Sequence, residues 1–551
     1  MKEFILETWA LRPCRRDSDE TRTTMALQNV LIDGNWREAR ATGSFQSINP
    51  ATGTALADEY PISSWGDCEA ALDAAAEAAV LLGQVPTERV AKFLNRFADR
   101  IEGRATEIAE TAHAETALAK SPRLSRIELP RTTGQLRQAA KAAIEGSWAL
   151  PTIDSKLNLR SCHSALGPVC IFGPNNFPLA YNGICGGDFA AAIAAGNPVI
   201  AKGHPSHPGT TRLLAEEAFA AVGETALPSA TVQMIYHIGR EDGLRLVSDP
   251  RIGATGFTGS RAAGLALKTA ADAAGKPIYL EMSSLNPVVV LPGALRERIE
   301  KIADEYTDSC LAGSGQFCTK PGLLLLPGGE VSERFVMQVR QRFADRPVAP
   351  LLSPTVQKSL DASVKKLTAA GAKVVIGGDV VVGDGFRYSN TLLRIDGAAF
   401  LANPEILQTE AFGNASMIIV AHDVAQLAEI VTKLEGQLTG SIYSSTVGDD
   451  DKSYAQLSSI LRQRVGRLLN DKMPTGVAVN PAMNHGGPYP AAGHPGFTAV
   501  GIPASLRRFS QLECYDNVRK NRLPPLLADR NPTGKTWRLI DGEWSVADLK
   551  A

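Results

Sequence analysis

"PVIAKGHPSHPGTTRLLAEEAFAAV", Pro198 to Val222, is the stretch on which the fold turns. It opens with a short apolar run ending at Lys202, breaks over Gly203 to Pro208, and continues as a long stretch with helical spacing. A short apolar run, a Gly/Pro break and a helix make one βα unit. Working outward, the unit repeats. "GPVCIFG" (167–173) lies upstream; "ATVQMIY" (230–236), "IGATGFTG" (252–259) and "KPIYLEM" (276–282) lie downstream, with helical "SRAAGLALKTAADA" (260–273) between the last two. Strands separated by helices of this length imply crossover connections and a mostly parallel sheet, an α/β fold.

A second α/β pattern runs from about 287 to 480, with "PGLLLLP" (321–327), "AKVVIGG" (372–378), "SMIIVAH" (416–422) and "GSIYSS" (440–445) as strands. Before the first pattern, residues 66–145 read as alanine-rich helix, as in "CEAALDAAAEAAVLLG" (68–83) and "VAKFLNRFADRIEGRATEIAETA" (90–112). Residues 158–173 read as extended, and the tail after about 523 is Pro-rich and reads as an arm or extension.

The gross composition excludes several classes. A chain of 551 residues is too long for one simple core and suggests roughly two to four domains. A formal net charge of −1 gives no reason to expect nucleic acid or an anionic membrane as partner. No apolar run approaches the ~18 residues of a membrane span. Residues 1–25 lack the apolar core of a secretory signal and read as a disordered polar leader, with Met25 a candidate start. The cysteines at 14, 68, 162, 170, 185, 310, 318 and 514 form no CxxC and no Cys/His cluster with zinc spacing. Neither a disulfide frame nor a metal is expected, and a reducing cytoplasm is the simplest setting.

Five segments carry candidate chemistry, each with a plain structural alternative. "GPNNFP" (173–178) follows a strand, so Asn176 sits where open α/β sheets place ligands, or else it forms a turn. Lys202 ends a strand and "GTT" (209–211) opens a helix, which suits a ribose or phosphate, or else Lys202 caps a sheet edge. In "GFTGSRAAG" (256–264), Gly256 and Gly259 permit a tight turn and Ser260 starts a helix whose amides suit a pyrophosphate; the alternative is an ordinary βα turn with an N-cap serine. Glu281 ends an apolar strand as a solvated carboxylate or as a buried acid or base. Cys318, in "GSGQFCTKPG" (313–322), is an inert small side chain or a nucleophile in a Gly-rich loop. "TEAFG" (409–413) is mute in isolation.

Taken in order, Asn176, Lys202, Gly259–Ser260, Glu281, Cys318 and Glu410–Phe412 reproduce the signature of the aldehyde dehydrogenase superfamily, which the chain resembles from about 30 to 525. The resemblance implies a Rossmann-like cofactor domain, an α/β catalytic domain and a small oligomerisation sheet. It implies oxidation of an aldehyde to the acid through a thioester on Cys318, with Asn176 and the Cys318 N–H as oxyanion hole and Glu281 activating water. Lys202 and Glu410 would hold the ribose hydroxyls, Phe412 would pack beside the nicotinamide, and Gly256, Gly259 and Ser260 would approach the pyrophosphate.

This sequence also departs from the family pattern. Met282, Ser283 and Ser284 replace Leu-Gly-Gly, and Asn414 replaces a proline. Pro205 stands where many members carry a ribose-binding glutamate; without that carboxylate a 2′-phosphate is not repelled, and Lys202, His204 and Arg240 are candidates to meet it. The cofactor is therefore expected to be NADP or NAD, with NADP favoured. "RTTGQLR" (131–137) and "HGGPYPA" (485–491) add a likeness to the subgroup of 2,5-dioxovalerate (α-ketoglutarate semialdehyde) dehydrogenases and NADP-dependent fatty-aldehyde dehydrogenases. Arg131 is a candidate for an acidic semialdehyde, and Phe177, Tyr181 and Phe497 for an apolar tunnel; Phe497 tilts the reading toward a bulkier aldehyde. The expected layout is a leader at 1–25, a cofactor domain at 26–145 and 166–285, and a catalytic domain at 286–484. Oligomerisation segments follow at 146–165 and 500–520, then an extension at 521–551. A homodimer, or a tetramer built from two, is expected. The rival readings are a CoA-acylating relative, which needs no water-activating carboxylate, and a catalytically silent paralogue.

Overall fold

The computed structural model describes residues 27–549; the leader at 1–25 lies outside the described residues. Its first sheet has seven strands. Five are parallel, in spatial order Ile278–Glu281, Ala254–Thr258, Val169–Phe172, Val199–Lys202, Val232–Ile235. The hairpin Val30–Ile32/Asn35–Arg37 adds two antiparallel strands beside the last. Val199–Ala201 and Val232–Ile235 are wholly buried, as expected of strands covered by helices on both faces. Chain order reverses between Val169–Phe172 and Ala254–Thr258, so the crevice at their carboxyl ends is the ligand position of such a sheet.

The second sheet, also of seven strands, has Val288–Val290 as an inner strand, with Leu323–Pro327, Ala415–Ala421 and Thr391–Asp396 on one side and Gln437–Tyr443 and Val465–Asn470 on the other, all parallel. Lys373–Ile376 closes one edge antiparallel. The helix Pro292–Leu311 carries the chain from Val288–Val290 to the loop that holds Cys318.

A third sheet joins Ser510–Asp516, Leu159–Ala165, Thr152–Asp154, Arg538–Ile540 and Glu543–Ser545 in that order. The tail read as an arm thus supplies two strands. Two buried arginines hold it: Arg160 donates to Leu527 O and reaches Asp529 at 2.7 Å, and Arg538 donates to Ala528 O at 2.6 Å and Ala547 O at 2.7 Å. No described helix is long and apolar enough to cross a membrane.

Candidate active site

Glu281 is the last residue of its strand and is only 2% exposed. An irregular segment crosses this strand end: Met282 N donates to Ala491 O at 2.8 Å, and Gly493 N to Leu280 O at 3.0 Å. The same segment delivers a residue that sequence reading did not assign. His485, 1% exposed, has Nε2 at 3.1 Å from Glu281 Oε1 and 3.4 Å from Cys318 Sγ. Its backbone is fixed on both sides, by His485 N donating to Thr498 Oγ1 at 3.0 Å and Ala499 N to His485 O at 2.9 Å. The glycines after it are packing requirements, since a Cβ on Gly486 would strike the Phe497 carbonyl and one on Gly487 the Gln437 carbonyl. The "HGGPYPA" likeness was the one signal that pointed there.

The Cys318 loop is built from tight backbone. Gly313, Ser314 and Gly315 have φ of 54°, 56° and 66°, the left-handed region that favours glycine. A Cβ on Gly315 would strike the Gly413 carbonyl, so the small residues before Cys318 serve loop-on-loop packing. Asn286 Nδ2 donates to the carbonyls of Cys318 and Lys320, both at 2.9 Å. Lys320 Nζ donates to Ala411 O at 2.8 Å and Ala415 O at 2.6 Å, tying this loop to the segment that carries Glu410 and Phe412. Asn414, in the place of the family's proline, donates to Tyr388 O at 2.7 Å and Asn390 Oδ1 at 2.9 Å. Burial, and then the Glu281 carboxylate, push the Cys318 thiol well above its ordinary pKa, with Arg131 opposing. The resting sulfur is therefore a thiol. Asn176 Nδ2 donates to Gln316 O at 2.9 Å, two residues from Cys318.

Cys318 opens onto a cavity of about 530 Å³ whose lining includes Arg123, Arg131, Phe177, Tyr181 and Phe317. Arg123 is neutralised by Glu128 and lies 4.4 Å from the Phe177 ring centroid. Arg131 donates to Tyr181 Oη at 2.7 Å and Val477 O at 3.0 Å, and no carboxylate pairs with it among the described residues. Phe497 does not line the cavity. It is 2% exposed, packed behind the wall with Ala492, Ala499 and Val500, under the Arg508 guanidinium at 5.1 Å.

The crevice side corrects three further expectations. The helix Pro208–Thr225 is not an open anion seat, because Glu115 already accepts from Gly209 N at 2.7 Å and Thr210 N at 2.8 Å. Gly256 makes no turn; it lies within its strand, and a Cβ there would meet the Asp188 carboxylate, which pairs with Arg508 at 2.8 Å. Gly259 lacks a positive φ, and a Cβ on it would press on the Phe257 ring. Ser260 caps the helix Arg261–Ala273 by accepting from Ala263 N at 3.3 Å.

The remaining cofactor candidates spread around this crevice. Burial pushes Lys202 down to about 8, and no carboxylate pairs with it among the described residues. His204 is pushed well below its usual range by burial, and its Nδ1 accepts from Ser206 N at 3.1 Å, so it presents a neutral Nε2–H. Burial raises Glu410, which Ser284 N approaches at 3.5 Å; Phe412 is half-buried nearby in sequence. Arg240 is exposed at the start of the helix Arg240–Ser248. An unpaired ammonium, a helix amino end capped by one hydroxyl and a buried carboxylate fit the charged and hydroxylated parts of a dinucleotide.

Comparison with known proteins identifies the family. The model of the aldehyde dehydrogenase family matches residues 36–486. Alpha-ketoglutaric semialdehyde dehydrogenase 2 of Azospirillum brasilense is 37% identical over 532 residues, 94% of this chain and 100% of the relative. Alpha-ketoglutaric semialdehyde dehydrogenase of Acinetobacter baylyi is 34% identical, covering 93% of this chain and 98% of its own. Among solved structures, 3,6-anhydro-L-galactose dehydrogenase superposes with a TM-score of 0.77 at 19% identity, covering 89% of this chain and 99% of its own. Aldehyde dehydrogenase C of Pseudomonas syringae gives 0.76 at 20%, with 89% and 96% covered. With the family model matched along most of its length and such relatives spanning it almost end to end, this chain belongs to the aldehyde dehydrogenase family and is an NAD(P)-dependent oxidoreductase acting on aldehydes.

Proposed function

We propose that the substrate is an acidic semialdehyde of the 2,5-dioxovalerate type, oxidised to the dicarboxylate with NADP preferred over NAD. The observation that carries this is Arg131: a guanidinium without a carboxylate partner among the described residues, lining the same cavity as Cys318. Arg131 is half-buried, and a cation partly withdrawn from water with no counter-ion is favoured by a ligand that supplies one. The tilt toward a bulkier aldehyde rested on Phe497, which lies behind the cavity wall. Two relatives named for alpha-ketoglutaric semialdehyde support the same substrate class.

In this reading Cys318 Sγ attacks the aldehyde carbon, and its proton passes to His485 Nε2, where the Glu281 carboxylate steadies the imidazolium until the departing thiolate takes the proton back. One N–H of the Asn176 amide is taken by Gln316 O; the other, with the Cys318 backbone N–H, steadies the alkoxide. NAD(P)+, when bound, supplies the hydride acceptor, held by Lys202, Glu410, Phe412 and the amino end of Arg261–Ala273. The acyl group then stays on sulfur as a thioester. Glu281 Oε2, buried and without a partner, takes a proton from water, whose oxygen attacks the acyl carbon and releases carboxylate and thiol. Pro205 in place of a carboxylate, with Lys202 and the neutral His204 donor, favours a 2′-phosphate. The third sheet, with Leu512 and Trp544 exposed on it, is the surface we assign to a homodimer, and the seven free cysteines among the described residues suit a cytoplasmic setting.

The test is a panel of 2,5-dioxovalerate, a neutral aliphatic and an aromatic aldehyde, each with NAD, NADP, or either plus coenzyme A. Highest kcat/KM for the acidic substrate with NADP is expected. A neutral aldehyde ahead overturns the substrate assignment, and a requirement for coenzyme A overturns the role of Glu281.

A further inference from the structure

Cys318, His485 and Glu281 offer a thiol sulfur, an imidazole nitrogen and a carboxylate oxygen, the three donor types that proteins use for zinc. Their donor atoms all lie within 4.8 Å of one another. Zinc bonds of ~2.3 Å to sulfur and ~2.0–2.1 Å to nitrogen or oxygen, opened to a tetrahedral angle, place sulfur about 3.5 Å from nitrogen and nitrogen about 3.3 Å from oxygen. The observed separations are 3.4 Å and 3.1 Å. Two of the three separations thus match a zinc tetrahedron, and the sulfur–oxygen pair lies within 4.8 Å. A second observation points the same way: Glu281 Oε2 is buried with no hydrogen-bond partner. A cation at the carboxylate would neutralise the buried charge that this oxygen shares.

We infer that these three side chains form a reversible binding site for a thiophilic divalent cation, zinc above all, and that its occupancy switches the nucleophile off. Binding replaces the Cys318 thiol proton, which leaves to solvent, by a Zn–S bond. The neutral imidazole gives its Nε2 lone pair and the carboxylate one oxygen. The fourth position faces the cavity that Cys318 opens onto, where water completes the tetrahedron and an aldehyde is excluded. The ligands come from positions 281, 318 and 485, so no spacing in the sequence announces the site.

The test uses the full-length protein stripped with a chelator, without aldehyde or cofactor. Titration with Co2+ is expected to give one equivalent of a tetrahedral centre with a thiolate-to-cobalt charge-transfer band, displaced by one equivalent of Zn2+. Zinc affinity is then read by competition with a chromophoric chelator. Loss of an outer-shell partner alone costs 10–100-fold, so His485→Gln and Glu281→Gln are each expected to weaken zinc on the order of 100-fold or more. Cys318→Ser is expected to abolish the charge-transfer band, and Cys514→Ser, at an exposed site, to leave binding unchanged. Far-ultraviolet circular dichroism confirms that each variant is folded; where His485→Gln is not, His485→Asn takes its place. Absence of the cobalt spectrum, or unchanged zinc affinity in either the His485 or the Glu281 variant, overturns the proposal. Because no substrate enters the assay, failure here leaves the dehydrogenase reading standing, and the reverse holds.

Discussion

Replacing Arg131 by methionine removes a charge while keeping a side chain of similar reach against Phe177 and Tyr181, whose ring centroids lie 5.7 Å and 5.0 Å from the guanidinium carbon. Two effects are superposed and have to be separated. The first is structural: Tyr181 Oη and Val477 O lose the donors they now have at 2.7 Å and 3.0 Å, which loosens the cavity wall for every substrate alike. The second is recognition: an acidic substrate loses a charge-assisted hydrogen bond, worth about 1.5–3 kcal/mol, or roughly 10- to 150-fold in kcat/KM. Comparing 2,5-dioxovalerate with a neutral aldehyde of the same chain length cancels the first effect. The ratio of their kcat/KM values, from NADPH absorbance at saturating cofactor, is expected to fall roughly 10- to 150-fold in Arg131→Met, mostly through KM. Equal losses for both substrates would refute the reasoning and leave Arg131 as a wall-building residue.

Glu281→Gln is expected to release one equivalent of NADPH in a burst and then stall, its steady rate down by about 10²–10⁴; unchanged turnover removes Glu281 from thioester hydrolysis. Cys318→Ala is expected to abolish oxidation while leaving NADP binding, read by fluorescence quenching, intact. Lys202, held down to about 8, is charged below that pH and neutral above it, so NADP affinity is expected to weaken as pH rises from 7 to 9. The groups around it leave that window clear: His237 is pushed to about 3, His207 to about 4, His204 well below its ordinary range, and Cys170 well above its own. Lys202→Met should give a flat profile, and a wild-type profile already flat refutes the assignment.

The βα rhythm was legible because buried parallel strands need short, nearly unbroken apolar runs, and "PVIAKG", "ATVQMIY", "GATGFT" and "PIYLE" each hold a strand. Strands such as Val465–Asn470 escaped because they mix in Arg467 and Asn470, whose side chains hydrogen-bond to neighbouring carbonyls. Arg538–Ile540 escaped because a Pro-rich approach masks a strand only three residues long. Cys318, Glu281 and Asn176 were singled out as candidates by their order along the chain, but the contacts that surround them were not legible there. His485 sits in an irregular segment whose path is fixed by glycine contacts and by bonds to the Glu281 strand, none of which has a periodicity to read. Phe497 was misplaced for a related reason: an apolar residue outside regular structure does not declare which side of a wall it occupies. Gly256 looked like turn chemistry and proved to be clearance for a carboxylate.

The bonds made by Lys320 divide the site into a part that is locked and a part that can be rewritten. Its ammonium is wedged between the carbonyls of Ala411 and Ala415, while Asn286 grips the two carbonyls on either side of Thr319. The Cys318 loop and the Glu410 segment consequently travel as one piece, and neither can be repositioned without dragging the other. New aldehyde preferences are reached through the facing wall instead, where the helix bearing Arg131 is tied to the turn at 477–479 only by side chains that substitution can change, Arg131 to Val477 O and Gln138 to Val479 O among them.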